Sequence, residues 1–266
     1  MTTAKNAGAT CSDCGWAWAD GRDVTCQKCG GRNKTVALTG VAAGAVAGFA
    51  NADSRSSFTA LFLQASALFA RRAASIELNY PDSPTEELKT EHLGCVTASV
   101  MQSCAAIEAE GAEICLHGPG HHLGSNGVDV VGRDFLGPLA ELIDKRPALD
   151  RFEVILHLLR KPAMDKGARP WQRAALLVRL RNELVHYKSK WSTELDTEKL
   201  IDSLRQLRLP RPPFVPAASP FFPCQCLSAA CAAWAVKAAF GFLSDAYDRL
   251  GITSPLAPYT ATFADL

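Results

Sequence analysis

Four cysteines near the N-terminus carry the clearest chemical spacing in the chain. Cys11-Ser12-Asp13-Cys14-Gly15 and Cys26-Gln27-Lys28-Cys29-Gly30 are two Cys-x-x-Cys-Gly turns, with eleven residues between Cys14 and Cys26. Each turn sets two thiolates on one side of a tight loop, and its glycine supplies the positive-φ residue that closes it. Four thiolates fill a tetrahedral shell and leave no open position. Cys11, Cys14, Cys26 and Cys29 are therefore expected to hold one structural Zn²⁺ per chain. Iron in a rubredoxin-like site and a dithiol redox pair are the rival readings.

A second set of residues falls late in the chain, in Leu176–Lys188 (LLVRLRNELVHYK). On a helix, Arg181 falls inside the apolar stripe formed by Leu177, Leu180, Leu184 and Val185. A guanidinium placed there needs a carboxylate or an open cleft, because burying it unpaired costs several kcal/mol, roughly 3–5 when a partner is removed. Asn182 and His186 are four apart and share a neighbouring face. One segment thus offers an anion-binding arginine, an amide and an imidazole able to accept or donate a proton. Composition alone favours a structural arginine beside a surface histidine.

These residues need elements to position them, and the periodicity supplies helices. Phe58, Leu61, Phe62, Ala65, Leu68 and Phe69 predict a helix from about Ser57 to Ala74, with that stripe facing the core. Thr85 caps a second helix, along which Leu93, Val96, Val100, Cys104, Ile107, Gly111 and Ile114 form a sustained apolar line. The glycine-rich stretch from His117 to Val131 is expected to be a loop. Helices follow at about 134–144, 149–159 and 170–187. Six prolines between Pro210 and Pro223 suggest an extended connector. Ser228 caps a last helix, with Leu227, Cys231, Trp234, Ala238, Leu243 and Tyr247 near one face, and Gly251 stops it. The expected organisation is a zinc ribbon with strand extension and linker over 1–50 and a helical bundle over 51–266.

Length and charge narrow the classes. The chain has 266 residues, a formal net charge of +1 and a mean hydropathy of +0.01, which excludes a polytopic membrane protein. Residues 51–150 carry 7 basic and 14 acidic side chains, and residues 151–211 carry 14 basic and 7 acidic. The two halves can neutralise one another, or the basic half can face a polyanion. The first residues, Met1-Thr2-Thr3-Ala4-Lys5, lack the pattern of a secretory signal, so a cytoplasmic location is expected. The apolar run over 36–50 falls short of the roughly twenty residues that cross a bilayer, and no membrane partner is expected.

The string Arg181-Asn182-x-x-x-His186, with its Leu-x-Leu lead-in, resembles the signature of the HEPN superfamily. The stretch Glu91-His92 to Glu113, with Ala105-Ala106-Ile107-Glu108-Ala109, is similar to that family's early helix and acidic position. Leu149–Gln172 resembles the segment leading into the motif helix. The resemblance covers roughly residues 85–250. It implies a mainly α fold, an HEPN-like helical bundle with a small N-terminal β-type zinc ribbon. It further implies a homodimer in which two motifs share a cleft and cut RNA without a metal, the ribose 2′-OH attacking to leave a 2′,3′-cyclic phosphate. Arg181 would hold the scissile phosphate, His186 would move the proton and Asn182 would orient one of them. Glu108 is the best candidate to pair with Arg181 and fix its rotamer. In some toxins of the superfamily a tyrosine follows the histidine by two residues. Here Tyr187 follows it directly, so that tyrosine's role is not carried across.

Arg173, Arg179, Lys188 and Lys190 are the expected RNA-binding cations, with Trp171 and Trp191 as stacking candidates. A toxin, stress or phage-defence effector with an antitoxin or regulatory partner fits this reading. The alternative is a non-catalytic dimerisation or nucleotide- or RNA-binding scaffold. Cys115, His117, His121 and His122 could ligate a second metal, and Cys224, Cys226 and Cys231 could be redox-active; loop histidines and buried free thiols are the commoner readings. Metal analysis of the purified protein should find one zinc per chain, lost in Cys14→Ser or Cys29→Ser without loss of the helical far-UV signal. Zinc-free protein, or iron at full occupancy, would refute the assignment.

Overall fold

The computed structural model describes residues 9–11, 17–18, 28, 34–36, 58–120, 130–187 and 199–266. The chain divides into two compact units, 1–57 with 113–138 and 58–112 with 139–266. The sequence had suggested a single boundary after residue 50. Cys14, Cys26, Cys29, His121, His122, Lys188, Lys190 and Trp191 lie outside the described residues.

In the first unit, β1 (Ala9–Cys11), β2 (Ala17–Trp18) and β3 (Lys34–Val36) form an antiparallel sheet in the order β2-β1-β3. Cys11 closes β1 opposite Lys34 of β3. β3 falls within the strand extension expected over 1–50, and Cys11, the first of the paired cysteines, is the last residue of β1.

The second unit is a helical bundle. Its helices are α1 (Thr59–Asn79), α2 (Glu86–His117, whose last residues belong to the first unit), α4 (Ala140–Asp144), α5 (Ala148–Leu158), α6 (Arg169–Val185), α7 (Lys199–Gln206), α8 (Ala229–Leu250) and α9 (Thr260–Ala264). The expected helix at 134–144 is two short ones, α3 (Val130–Leu136) and α4, separated by a 3₁₀ turn over Gly137–Leu139. Pro138 lies in that turn, where it cannot donate the hydrogen bond a continuous helix would need. The proline-rich stretch is not one extended connector. It folds into turns, with Val215 N–H donating to Pro212 O (3.1 Å) and Ser219 N–H to Pro216 O (3.0 Å), then a π-type turn over Phe221–Gln225.

Helix α8 is the centre of the bundle, packed against α1 and α6. Thirteen of its 22 residues are buried, more than one face can hold, so neighbours surround it. Toward it α1 presents small and branched residues: Leu63, Ala67, Ala70, Ala73 and Ile76. This corrects the stripe expected for α1. Phe58, Leu61 and Leu68 are 47%, 54% and 64% exposed, because the alanine face allows the closer helix approach. Ser66 marks that approach. Its hydroxyl bonds Ser99 O (2.8 Å), Ser99 Oγ (2.9 Å) and Ser103 Oγ (2.8 Å), while Ser99 Oγ reaches Ala232 O of α8 (3.2 Å). All three serines are fully buried and all are bonded.

Helix α2 follows its expected line more closely. Val96, Val100, Cys104 and Ile107 are buried, and only Leu93 is exposed. Gly111 is needed where α2 meets α5, since a Cβ there would lie 3.3 Å from the Phe152 ring. Thr85 Oγ1 accepts from Leu88 N–H (3.3 Å), as its capping role predicts. Ser228 Oγ accepts from Cys231 N–H (3.3 Å), and Gly251 ends α8 at φ 74°. Ser228→Ala and Gly251→Ala should each destabilise the bundle by about 1 kcal/mol, read as a lower urea midpoint with unchanged slope.

Candidate active site on helices α2 and α6

Helix α6 begins as its sequence dictates, with Pro170 in its first turn, where a missing N–H costs nothing. Trp171, Ala174, Leu177 and Leu180 are buried, and Trp171 sits 6.0 Å from the Phe242 ring of α8. This burial corrects the RNA-stacking reading of Trp171: its ring is core, with Lys166 Nζ 5.1 Å from its centroid.

Two i, i+4 ladders meet between α2 and α6. On α2 they are Cys104 and Glu108; on α6 they are Leu177 and Arg181. The Cys104 thiol points at Leu177 O (3.7 Å), and one turn further on Arg181 Nη2 donates to Glu108 Oε1. The expected partnership of Glu108 and Arg181 is therefore present. Arg181 is 25% exposed and Glu108 38%, so the pair sits at the partly exposed edge of the seam. Burial pushes the Cys104 thiol up to about 12, with the Arg181 guanidinium beside it pulling weakly the other way. The sequence reading missed Cys104 as a neighbour of Arg181. The four-residue spacing of Cys104 and Glu108 was the available signal.

The other motif residues face away from this seam. Helix α6 stops at Val185, and His186 is its C-cap, with φ −108° and its N–H donating to Asn182 O (3.0 Å). Arg179, Asn182 and His186 fall at i, i+3 and i+7, and all three are exposed. Within one chain, the cation that shares the histidine's face is thus Arg179. Arg181 lies about 140° round the helix. Tyr187, just past the helix end, packs on Phe222 of the proline-rich segment at 5.9 Å between centroids. Arg173 is half-buried near the start of α6. Its guanidinium pKa is lowered by burial and then by the charge of Arg169, and it is less exposed than Arg179.

No group of three or more His, Cys, Asp or Glu side chains that could hold a metal occurs among the described residues. Cys115 is buried and His117 half-buried. Cys226 and Cys231 are buried thiols with raised pKa values, Cys231 to about 12, whereas Cys224 is exposed. No helix among the described residues is long and apolar enough to cross a membrane. Compared with known proteins, the chain matches no family model, no curated protein and no solved structure.

Because the thiolate is the reactive form, a raised pKa protects a thiol at every pH below it. Peptide mapping after iodoacetamide treatment of native protein at pH 8 should find Cys224 alkylated and Cys104 and Cys231 spared. All three should react in denaturant.

Proposed function

We propose that the chain is a metal-independent endoribonuclease of the HEPN type, acting as a homodimer. The observation that carries the reading is the arrangement on α6: a half-open arginine anchored by Glu108, with an amide and an imidazole on the adjacent exposed face. Arg181 can hold a phosphate through its fork of donors while Glu108 fixes its rotamer. His186 can accept the ribose 2′-OH proton, freeing that oxygen to attack phosphorus. The 5′-oxygen leaves as the P–O bond breaks and takes a proton from a protonated imidazole. The products are a 2′,3′-cyclic phosphate and a 5′-OH end. No metal takes part in these steps.

One chain does not aim Arg181 and His186 at a single phosphate. A two-fold axis across the motif would bring the arginine of one copy to the histidine of the other. Arg179, Lys188 and Lys190 would then hold flanking phosphates, with a smaller part for Arg173. The four N-terminal cysteines would hold one structural Zn²⁺, in a ribbon that contacts RNA or a partner protein. A toxin, stress or phage-defence role, controlled by an antitoxin or regulator in the cytoplasm, follows from such an activity. The ion pair itself supports the second reading, a non-catalytic HEPN-like dimerisation or nucleotide- or RNA-binding scaffold, since a paired guanidinium can be purely structural.

The test is incubation of the purified protein with RNA in chelator, with product ends mapped. His186→Ala should slow cleavage by about 10²–10⁴-fold, the usual contribution of a general acid–base group. Arg181→Ala should be at least as damaging, Arg181→Lys should not restore activity, and Glu108→Gln should be milder than either. A 2′-deoxy substitution at the cut should abolish the reaction. Undiminished cleavage by His186→Ala would leave the scaffold reading in its place.

A further inference from the structure

A cavity of about 270 Å³ opens between the first turns of α2 and the folded proline-rich segment. Its walls are apolar: Leu93 from α2, Pro212, Phe214 and Val215 from the segment, and Leu227 at the approach to α8. Polar side chains interrupt them at Lys89, His92 and Ser219. His92 lines the cavity with its side chain only 3% exposed, and Phe214 packs edge-on against its ring at 5.1 Å.

The hydrogen bonds around His92 determine what it offers. Its Nε2 lies 2.8 Å from Glu77 Oε1, which also accepts from Ala229 N–H at the start of α8 (2.8 Å). A carboxylate only accepts, so Nε2 carries the proton, and in the neutral ring Nδ1 is left as a bare acceptor. Among the described residues Nδ1 has no partner. An acceptor left open beside the cavity can be met by a donor that a ligand brings in. The cation at the rim, Lys89, is already paired with Glu86 (2.7 Å), so nothing in the lining asks for an anion.

The wall is also preformed. Arg211 Nη1 donates to Val215 O, and Gln225 Nε2 donates to Ala217 O (3.0 Å) and Ser219 O (2.5 Å), so the segment is held without a ligand. We propose that this cavity binds a small, uncharged, apolar molecule bearing one hydroxyl or N–H group, which donates to His92 Nδ1. The volume lies just below the usual range of about 300–1,000 Å³, so the ligand is the size of one substituted aromatic ring or a short branched chain. This site is separate from the motif on α6 and does not depend on its activity.

Two probes that differ by one hydroxyl test the proposal on the full chain: 4-methylphenol and toluene, titrated by ligand-observed NMR. Saturable binding of 4-methylphenol is expected, with toluene roughly tenfold weaker, the worth of one hydrogen bond. His92→Gln should erase the difference between the probes. Val215→Trp, which fills the cavity from the segment side, should abolish binding of both while leaving the far-UV spectrum and melting profile unchanged. Cys224 also lines the cavity, and saturating 4-methylphenol should slow its alkylation in peptide maps. Absence of saturable binding, equal affinity for the two probes, or binding unaffected by Val215→Trp would overturn the proposal.

Discussion

The bundle depends on how closely α1 and α2 approach the buried helix α8. Alanines on α1 and α8 bring the backbones near, and the serine cluster of Ser66, Ser99 and Ser103 fills the contact with satisfied hydrogen bonds. A larger side chain at Ala67 or Ala70 would push α1 outward, because a close-packed interior has no room to absorb it. The same proximity lets Glu77, near the end of α1, reach both the start of α8 and His92 of α2. One carboxylate thereby joins three helices.

The α2–α6 seam applies a similar rule to a charged group. Leu177 and Leu180 anchor α6 in the core, and the helical repeat then places Arg181 at the seam's edge. A guanidinium there requires an acceptor, and Glu108 lies one turn beyond Cys104 to provide it. What the carboxylate fixes is direction: it turns Arg181 toward α2 and away from the face that carries Arg179, Asn182 and His186. The motif is thereby split between two faces of one helix. The proposed chemistry consequently calls for a second copy of the chain.

Several features were legible because they are local. Caps at Thr85 and Ser228, the stop at Gly251, the apolar line of α2 and the span of α6 within two residues all follow from backbone donors, left-handed geometry and a 3.6-residue repeat. The partnership of Glu108 with Arg181 was legible for a different reason, since a cation in an apolar stripe leaves few ways to be satisfied. Helix α7 was overlooked although Leu200, Ile201 and Leu204 carry its stripe. At eight residues it is shorter than the window in which periodicity stands out.

Other features had no local signature. Large residues on α1 drew attention to the wrong face, because burial depends on which neighbour packs there. Phe58, Leu61 and Leu68 are more apolar than Ala67, Ala70 and Ala73, yet it is the alanines that are buried. Trp171 looked equally suited to stacking on a base, and only its contact with Phe242 assigns it to the core. The folding of the proline-rich segment into a cavity wall over His92 likewise needed partners far away in the sequence. The sequence by itself determined where the longer helices of the bundle start, how most of them end and which charge needs a partner, because those choices are made within a turn or two of backbone. Tertiary structure alone decided which faces are buried, which cysteines are inert and where a cavity opens, because those depend on contacts between residues as many as 191 positions apart, the separation of Arg71 and Thr262.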